Sequence, residues 1–247
     1  MKVGLHPCFI LHQRPFRETS MILEVFSREH GKLALVARGV KKRKPNLRSI
    51  MQPNQKLNIA WVGRGEMGTL TAVEASDNSY ILNGRALIAS FYVNELLMRL
   101  LHRHEPCPRL FDVYEFTLER LQQQDNEQSV LRNFELRLLE SLGYGLLLEH
   151  DITTGAAISP DQRYYYQLDR GPTVVPAPDR ESITISGGAL LALAGNALCE
   201  PEHMHEVKLL TRKILKNHLG PKPLASRALF NAYLKNQPEK YRKQGDA

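Results

Sequence analysis

The segment Arg38-Gly-Val-Lys-Lys-Arg-Lys-Pro-Asn-Leu-Arg48 places Arg38, Lys41, Lys42, Arg43, Lys44 and Arg48 within eleven positions with no acid among them. Like charges packed this closely repel one another, and the repulsion is relieved when a polyanion neutralises them. A cationic loop can follow a phosphate backbone, each phosphate it neutralises releasing condensed counterions. Arg14, Arg17 and Arg64 fall near other predicted strand ends and widen the cationic track. Stacking on bases needs aromatic faces beside such cations. Phe9, Phe16, Phe26 and Trp61 are available, but strand alternation sends some of them into a core, and no stacking role is assigned.

Other constellations carry less. Gly63-Arg-Gly-Glu-Met-Gly68 matches the glycine string of dinucleotide sites, yet Thr69-Leu-Thr-Ala-Val-Glu74 follows it, rich in β-forming residues rather than opening a helix. A glycine-rich hairpin is the better reading; a nucleotide-dependent oxidoreductase resting on these glycines is the rival from another class. His102/His104 and His203/His205, with Cys107 and Cys199 nearby, have a spacing of two, which splays side chains apart on a helix; they read as partly exposed histidines at helix ends. No metal and no cofactor is expected. Glu135 and Glu140 read as surface carboxylates. No Walker sequence, G-x-S-x-G elbow or H-E-x-x-H helix occurs, and no enzyme is indicated. Cys8, Cys107 and Cys199 are too few and too scattered for a disulfide framework or a four-cysteine zinc site, and are expected reduced and buried.

The formal net charge of +7 is unevenly spread. Residues 1–80 hold 13 Lys+Arg against 6 Asp+Glu, residues 81–206 hold 10 against 18, and residues 207–247 hold 10 against 2. Basic ends around an acidic middle are the pattern expected when one surface meets nucleic acid. No apolar run is long enough to cross a bilayer, and the start MKVGLHPCFILHQRP lacks the pattern of a secretory signal, so a cytoplasmic, nucleoid-associated protein with no membrane contact is expected.

These residues must be positioned by folded elements. Alternation predicts strands over Cys8–His12, Ser20–Ser27, Lys32–Gly39, Lys56–Val62 and Gly68–Ala75, with Leu57, Ile59 and Trp61 on one face and Lys56, Asn58 and Ala60 on the other. Gly31 suits a tight turn after His30. Five short strands in 80 residues match an OB-fold barrel, a count that small SH3-like barrels share. From Leu82 the period changes to about 3.6. Helices are predicted over Ala86–His102 and Leu110–Gln123, then from a cap at Ser129 along the stripe Leu131, Phe134, Leu138 and Leu142 to Gly143. Residues 151–185 read as a small strand insertion, with Tyr164–Leu168, Thr173–Val175 and Ser182–Ile185 as its strands. Helices from Ser186 to Leu198 and from Glu206 to Leu219 follow, the latter stopped by Gly220-Pro221, and the chain frays beyond Tyr233. The expected fold class is α+β: residues 1–80 a small barrel, the OB-fold preferred, carrying the nucleic-acid (DNA-binding) surface expected from charge; 81–237 a mainly helical domain with the insertion; 238–247 a flexible basic tail.

The chain resembles the RecO family of bacterial recombination mediators. The resemblance lies in Leu11-His-Gln-Arg-Pro-Phe-Arg-Glu-Thr-Ser20, Phe26-Ser-Arg-Glu-His-Gly31, Leu35-Val-Ala-Arg-Gly39, Leu47 through Pro53, and Gly63-Arg-Gly-Glu66. It continues in Phe91-Tyr-Val-Asn-Glu-Leu-Leu97, Phe134-Glu-Leu-Arg-Leu-Leu139, Leu142-Gly-Tyr-Gly145 and His218 through Phe230, so it spans nearly the whole chain in the family's order. It implies an N-terminal OB-fold and a helical domain, binding to single- and double-stranded DNA, and strand annealing in DNA repair and recombination after DNA damage. It also implies joint action with RecR and contact with the C-terminal tail of single-stranded DNA-binding protein (SSB), so that RecA is loaded on coated strands. Some members carry a four-cysteine zinc motif in the insertion; this chain has no cysteine from 108 to 198, so its insertion must be held by its own packing.

The partner's tail in this family is an acidic peptide with an apolar end, which calls for an apolar groove with a cationic rim. Arg132 with Phe134, Leu138 and Leu142, and Lys213 or Lys216 of the last long helix, are the residues proposed for it. The alternative that charge pattern does not separate is a structural RNA-binding factor with an OB-like barrel.

Overall fold

The computed structural model describes residues 2–40, 49–63, 65–76, 79–176, 181–195, 197 and 201–236. Their strands are β1 (Lys2–Phe16), β2 (Ser20–Ser27), β3 (Gly31–Ala37), β4 (Lys56–Val62) and β5 (Met67–Ala75). Helices α1 (Gly84–Leu100), α2 (Pro108–Gln122) and α3 (Glu127–Ser141) follow, then strands β6 (Arg163–Gln167), β7 (Gly171–Thr173) and β8 (Ser182–Ser186). Helices α4 (Gly187–Ala194), α5 (Pro201–Leu219) and α6 (Ala225–Lys235) complete the order. Packing divides the chain into two compact units, Met1–Asp125 with Leu224–Ser226, and Asn126–Pro223 with Arg227–Ala247. The unit that contains the five strands therefore runs past the change of period at residue 81 and takes in α1 and α2. None of the helices is long and apolar enough to cross a membrane, among the described residues.

In the first unit the five strands close into a barrel in the order β1-β2-β3-β5-β4, antiparallel throughout except for the parallel β3–β5 pair. This is the OB-fold. Every strand has a neighbour on both sides, although β5 meets β3 only over Met67–Thr69. Closure depends on β1, which pairs with β4 through Lys2–Phe9 and with β2 through Cys8–Phe16. The strand is much longer than alternation predicts, because its register shifts between Val3 and His6 and again between Ile10 and His12, which scrambles the period-two signal. Cys8, Ile10, Leu23, Val25, Leu33, Leu35, Leu57, Ile59 and Trp61 fill the interior, as the alternation in β4 predicts. Every residue of β2 is buried, because its outer face is covered too. Phe9 and Phe26 stand outside the barrel against Phe111 and Tyr114 of α2, with ring centroids 4.9–6.2 Å apart. Gly31, at φ +67°, makes the β2–β3 turn, and a Cβ there would overlap the carbonyl of Glu105.

A buried polar network ties α1 and α2 to the barrel. Asn54, held at φ +68°, donates from Nδ2 to Ser90 Oγ (2.7 Å), and Asn94 Nδ2 donates to Asn54 Oδ1 (2.9 Å) and to the Leu11 carbonyl (3.2 Å). The Tyr114 hydroxyl donates to Asn94 Oδ1 at 2.7 Å. Lys32, also buried, donates from Nζ to the Met98 carbonyl (2.6 Å); burial, with the nearby Arg103, lowers its pKa.

In the second unit α3 is capped by Asn126, whose side chain accepts from the Ser129 amide, so Ser129 is the capped residue and not the cap. Gly143, at φ +83°, ends the helix region as predicted. The insertion forms a three-stranded sheet in the order β7-β6-β8. Asp151 anchors it: Oδ1 accepts from the amides of Thr153 (2.7 Å) and Thr154 (2.9 Å), and Oδ2 from that of Val174 (2.7 Å). Ser186 caps α4 through the Ala189 amide. Helix α5 begins at Pro201 rather than Glu206, and α6 is a further helix, absent from the sequence expectation, whose apolar Leu229, Phe230, Tyr233 and Leu234 remain partly exposed. The basic tail 238–247 lies outside the described residues.

Candidate nucleic-acid interface

The β1–β2 hairpin closes with Phe16 opposite Ser20, leaving Arg17, Glu18 and Thr19 as a three-residue turn. Arg17 takes φ +51°, a left-handed conformation that an L side chain adopts only at a cost. Its guanidinium lies 5.2 Å from the centroid of the Phe16 ring. The chain leaving β3 brings Arg38 and Gly39 to the same place. Phe16, Arg17, Thr19, Val36, Arg38 and Thr69 are among the residues that line a groove of about 720 Å³ on the barrel, with Glu18 also on its wall.

Arg14, Arg17 and Arg38 are exposed. Among the described residues neither Arg14 nor Arg38 is ion-paired, so their charge is not cancelled by the unit's carboxylates. The structure thus gathers Arg17 and Arg38 on one groove and leaves Arg14 exposed earlier on β1. Lys41, Lys42, Arg43, Lys44, Arg48 and Arg64 lie outside the described residues. Of the four aromatics considered for stacking, Phe9, Phe26 and Trp61 are buried, and Phe16 remains, beneath Arg17. Gly63 and Gly65 lie in the β4–β5 connection and Gly68 already belongs to β5, so a strand and not a helix N-terminus stands where a pyrophosphate would bind.

In the second unit the residues named for a partner peptide divide differently. Phe134 and Leu138 are buried in the core. Arg132 is buried too: its Nη2 lies 2.7 Å from Glu135 Oε1 and its Nη1 donates to Thr211 Oγ1 at 3.4 Å. It is therefore not a solvated cation, and Glu135 is not a surface carboxylate; one turn of helix and the packing of α5 enclose the pair. Glu140 does lie at the surface, paired with Arg137. Lys213 pairs with Glu181, whereas Lys216 is exposed and Leu142 half-buried. A feature the sequence reading passed over lies beside them. Tyr144, half exposed, stacks on His218 of α5 with ring centroids 4.0 Å apart, and Leu147 is exposed as well. The motif Leu142-Gly-Tyr-Gly145 was the available signal, since it sets an aromatic residue in the connection just past the end of α3.

A closed five-stranded barrel followed by helices places the first unit among the OB-fold proteins, and two of its arginines share one groove. Comparison with known proteins narrows that class. The sequence models of the Recombination protein O N-terminal and C-terminal domains match residues 1–79 and 82–228. The chain is 45% identical over 230 residues to DNA repair protein RecO of Nitrosococcus oceani, covering 93% of this chain and 94% of that one. It is 41% identical to the RecO of Methylococcus capsulatus (94% of each chain) and 39% to that of Vibrio cholerae (93% and 95%). The chain belongs to the RecO family of DNA repair proteins.

Proposed function

We propose that this chain is a recombination mediator that binds single- and double-stranded DNA on the barrel of residues 1–80, anneals complementary strands, and with RecR helps load RecA onto SSB-coated single-stranded DNA in the cytoplasm. The observation that carries the reading is the convergence of Arg17 and Arg38, from two separate strand connections, on one groove of a barrel end. Annealing requires two phosphate backbones to approach, and cationic side chains lower the repulsion between them. Lys41, Lys42, Arg43, Lys44 and Arg48 follow Arg38 in sequence and would extend the same track, with Arg14 and Arg64 flanking it.

For the SSB tail, Leu142 and the Tyr144–His218 stack offer accessible apolar and aromatic side chains, and Lys216 is an exposed cation on the same helix as His218 but turned to a different side of it. Arg132, Phe134 and Leu138 are buried and can act only through the packing of α3, and Lys213 contributes less because Glu181 already neutralises it.

The test is binding of an oligonucleotide across a salt titration, for the wild type and for a chain with Lys41, Lys42, Arg43 and Lys44 replaced by alanine. Each lost phosphate contact is expected to lower the slope of log affinity against log salt by about 0.7 for a single strand. An unchanged slope removes the loop from the interface. Competition between single-stranded DNA and structured RNA, together with strand annealing in the presence and absence of SSB, distinguishes a mediator from an RNA-binding barrel protein.

A further inference from the structure

We propose that the first unit carries a site for one first-row divalent metal ion, of the zinc type, held by His6, Glu29 and His30. Among the described residues these three form a group whose ligating atoms, one ring nitrogen from each histidine and a carboxylate oxygen, all lie within 4.8 Å of one another. His6 stands on β1 beside the register shift, and Glu29 and His30 lie in the β2–β3 turn; the antiparallel β1–β2 ladder, continued by the Arg28 amide donating to the Pro7 carbonyl, brings together residues 23 positions or more apart. Glu29 Oε2 is 3.0 Å from His6 Nδ1, and the two imidazoles meet edge to face at 4.9 Å between centroids.

Two further observations point to a ligand. His30 Nε2 is buried and makes no hydrogen bond, although a buried polar atom ordinarily finds a partner. Glu29 and His30 also line a cavity of about 530 Å³, with Trp61, His104 and the glycines at the β4–β5 connection, which gives an ion room to enter. Two imidazoles and one carboxylate are the donor set that zinc and its neighbours accept, and oxygen-seeking magnesium does not favour. Ligands at about 2.0–2.2 Å from a tetrahedral ion lie roughly 3.3–3.6 Å apart; Glu29 and His6 are already that close, and the remaining separations, all within 4.8 Å, close with small side-chain rotations.

The chain contains a single tryptophan, and Trp61 lies 5.0 Å from His30 and 6.4 Å from His6, ring centroid to ring centroid. Its fluorescence therefore reports metal bound beside it, and the ligand variants assign the quench to this site. Tag-free full-length protein, stripped with a chelator, would be titrated with Ni2+ or Co2+. A saturable quench with one equivalent is expected, reversed by Zn2+ and unaffected by millimolar Mg2+. Glu29→Gln and His30→Asn should each raise the apparent dissociation constant more than about 10-fold, a loss that even outer-sphere partners can cause. Glu29 is exposed, so that variant separates lost ligation from lost folding. A His203→Asn/His205→Asn chain should bind as the wild type does. No saturable quench, or a curve unchanged in both ligand variants, overturns the proposal.

Discussion

Arg132 Nη2 and Glu135 Oε1 lie 2.7 Å apart, and both side chains are almost wholly removed from solvent. A buried pair of this kind stabilises little relative to apolar residues of the same volume, but removing one partner leaves a charge in a medium that cannot solvate it. Arg132→Ala is therefore expected to lower the stability of the second unit by about 3–5 kcal/mol. The double change Arg132→Met with Glu135→Leu should restore most of that loss, as read by urea unfolding followed by circular dichroism. The double variant also isolates any role in binding: if it folds and still holds an acidic, Phe-terminated peptide at wild-type affinity, Arg132 acts only as a support.

Arg17 holds its cation at the price of a left-handed backbone. Glycine tolerates that conformation freely, so Arg17→Gly should leave the fold intact and raise its stability by up to about 1 kcal/mol. The same change should weaken oligonucleotide binding and flatten its salt dependence, because one groove cation is gone. Thermal unfolding and fluorescence anisotropy on the same sample measure the two effects, and a variant that lost stability along with affinity would count against the turn as a binding device.

Where packing follows from local pattern, the sequence was sufficient to read the fold. Leu57, Ile59 and Trp61 alternate cleanly, and β4 is found at the predicted residues because one of its faces is core. Pattern fails where tertiary structure supplies the missing term. The early part of β1 holds Gly4 and Pro7 and a register shift, so only closure against β4 identifies it as strand. Asn126 sits in a run of polar residues, any of which has the chemistry of a cap, and geometry alone selects it. Arg132 and Glu135 have the three-residue spacing of an ordinary surface pair, and nothing local says that α5 covers them. His6 and Glu29-His30 belong to different strands and turns, so their meeting is written in the barrel and not in any motif.

Tyr114 offers a test of the network that joins the helices to the barrel. Its hydroxyl is fully buried and donates to Asn94 Oδ1. Tyr114→Phe preserves the ring packed on Phe9 but leaves that acceptor short of a donor, which costs about 1–3 kcal/mol. The expected result is a lower midpoint of denaturant unfolding for the first unit with an unchanged slope. Substitution of the exposed Phe116 on the same helix should have little effect.

Asp151 makes the insertion's stability depend on pH. Burial by itself would raise the carboxyl's pKa, but the amides of Thr154, Val174 and Thr153 outweigh it and hold the group below the usual carboxylate range. A pKa lower in the folded than in the unfolded state contributes stability that is fully present above the unfolded value of about 3.9. That contribution disappears as the pH falls through the lower folded value. Asp151→Asn removes it at every pH, because the new amide nitrogen must point either at the Val174 N–H or at those of Thr153 and Thr154, setting donor against donor. Loss of charge-assisted hydrogen bonds of this kind costs about 1.5–3 kcal/mol each. Hydrogen exchange at the Val174 amide, followed from pH 6 downward and corrected for the intrinsic rate, should show protection in the wild type that falls with acid, and weaker, pH-independent protection in Asp151→Asn. Equal protection in the two chains near neutral pH would mean that the sheet of β6, β7 and β8 holds the insertion without this carboxylate.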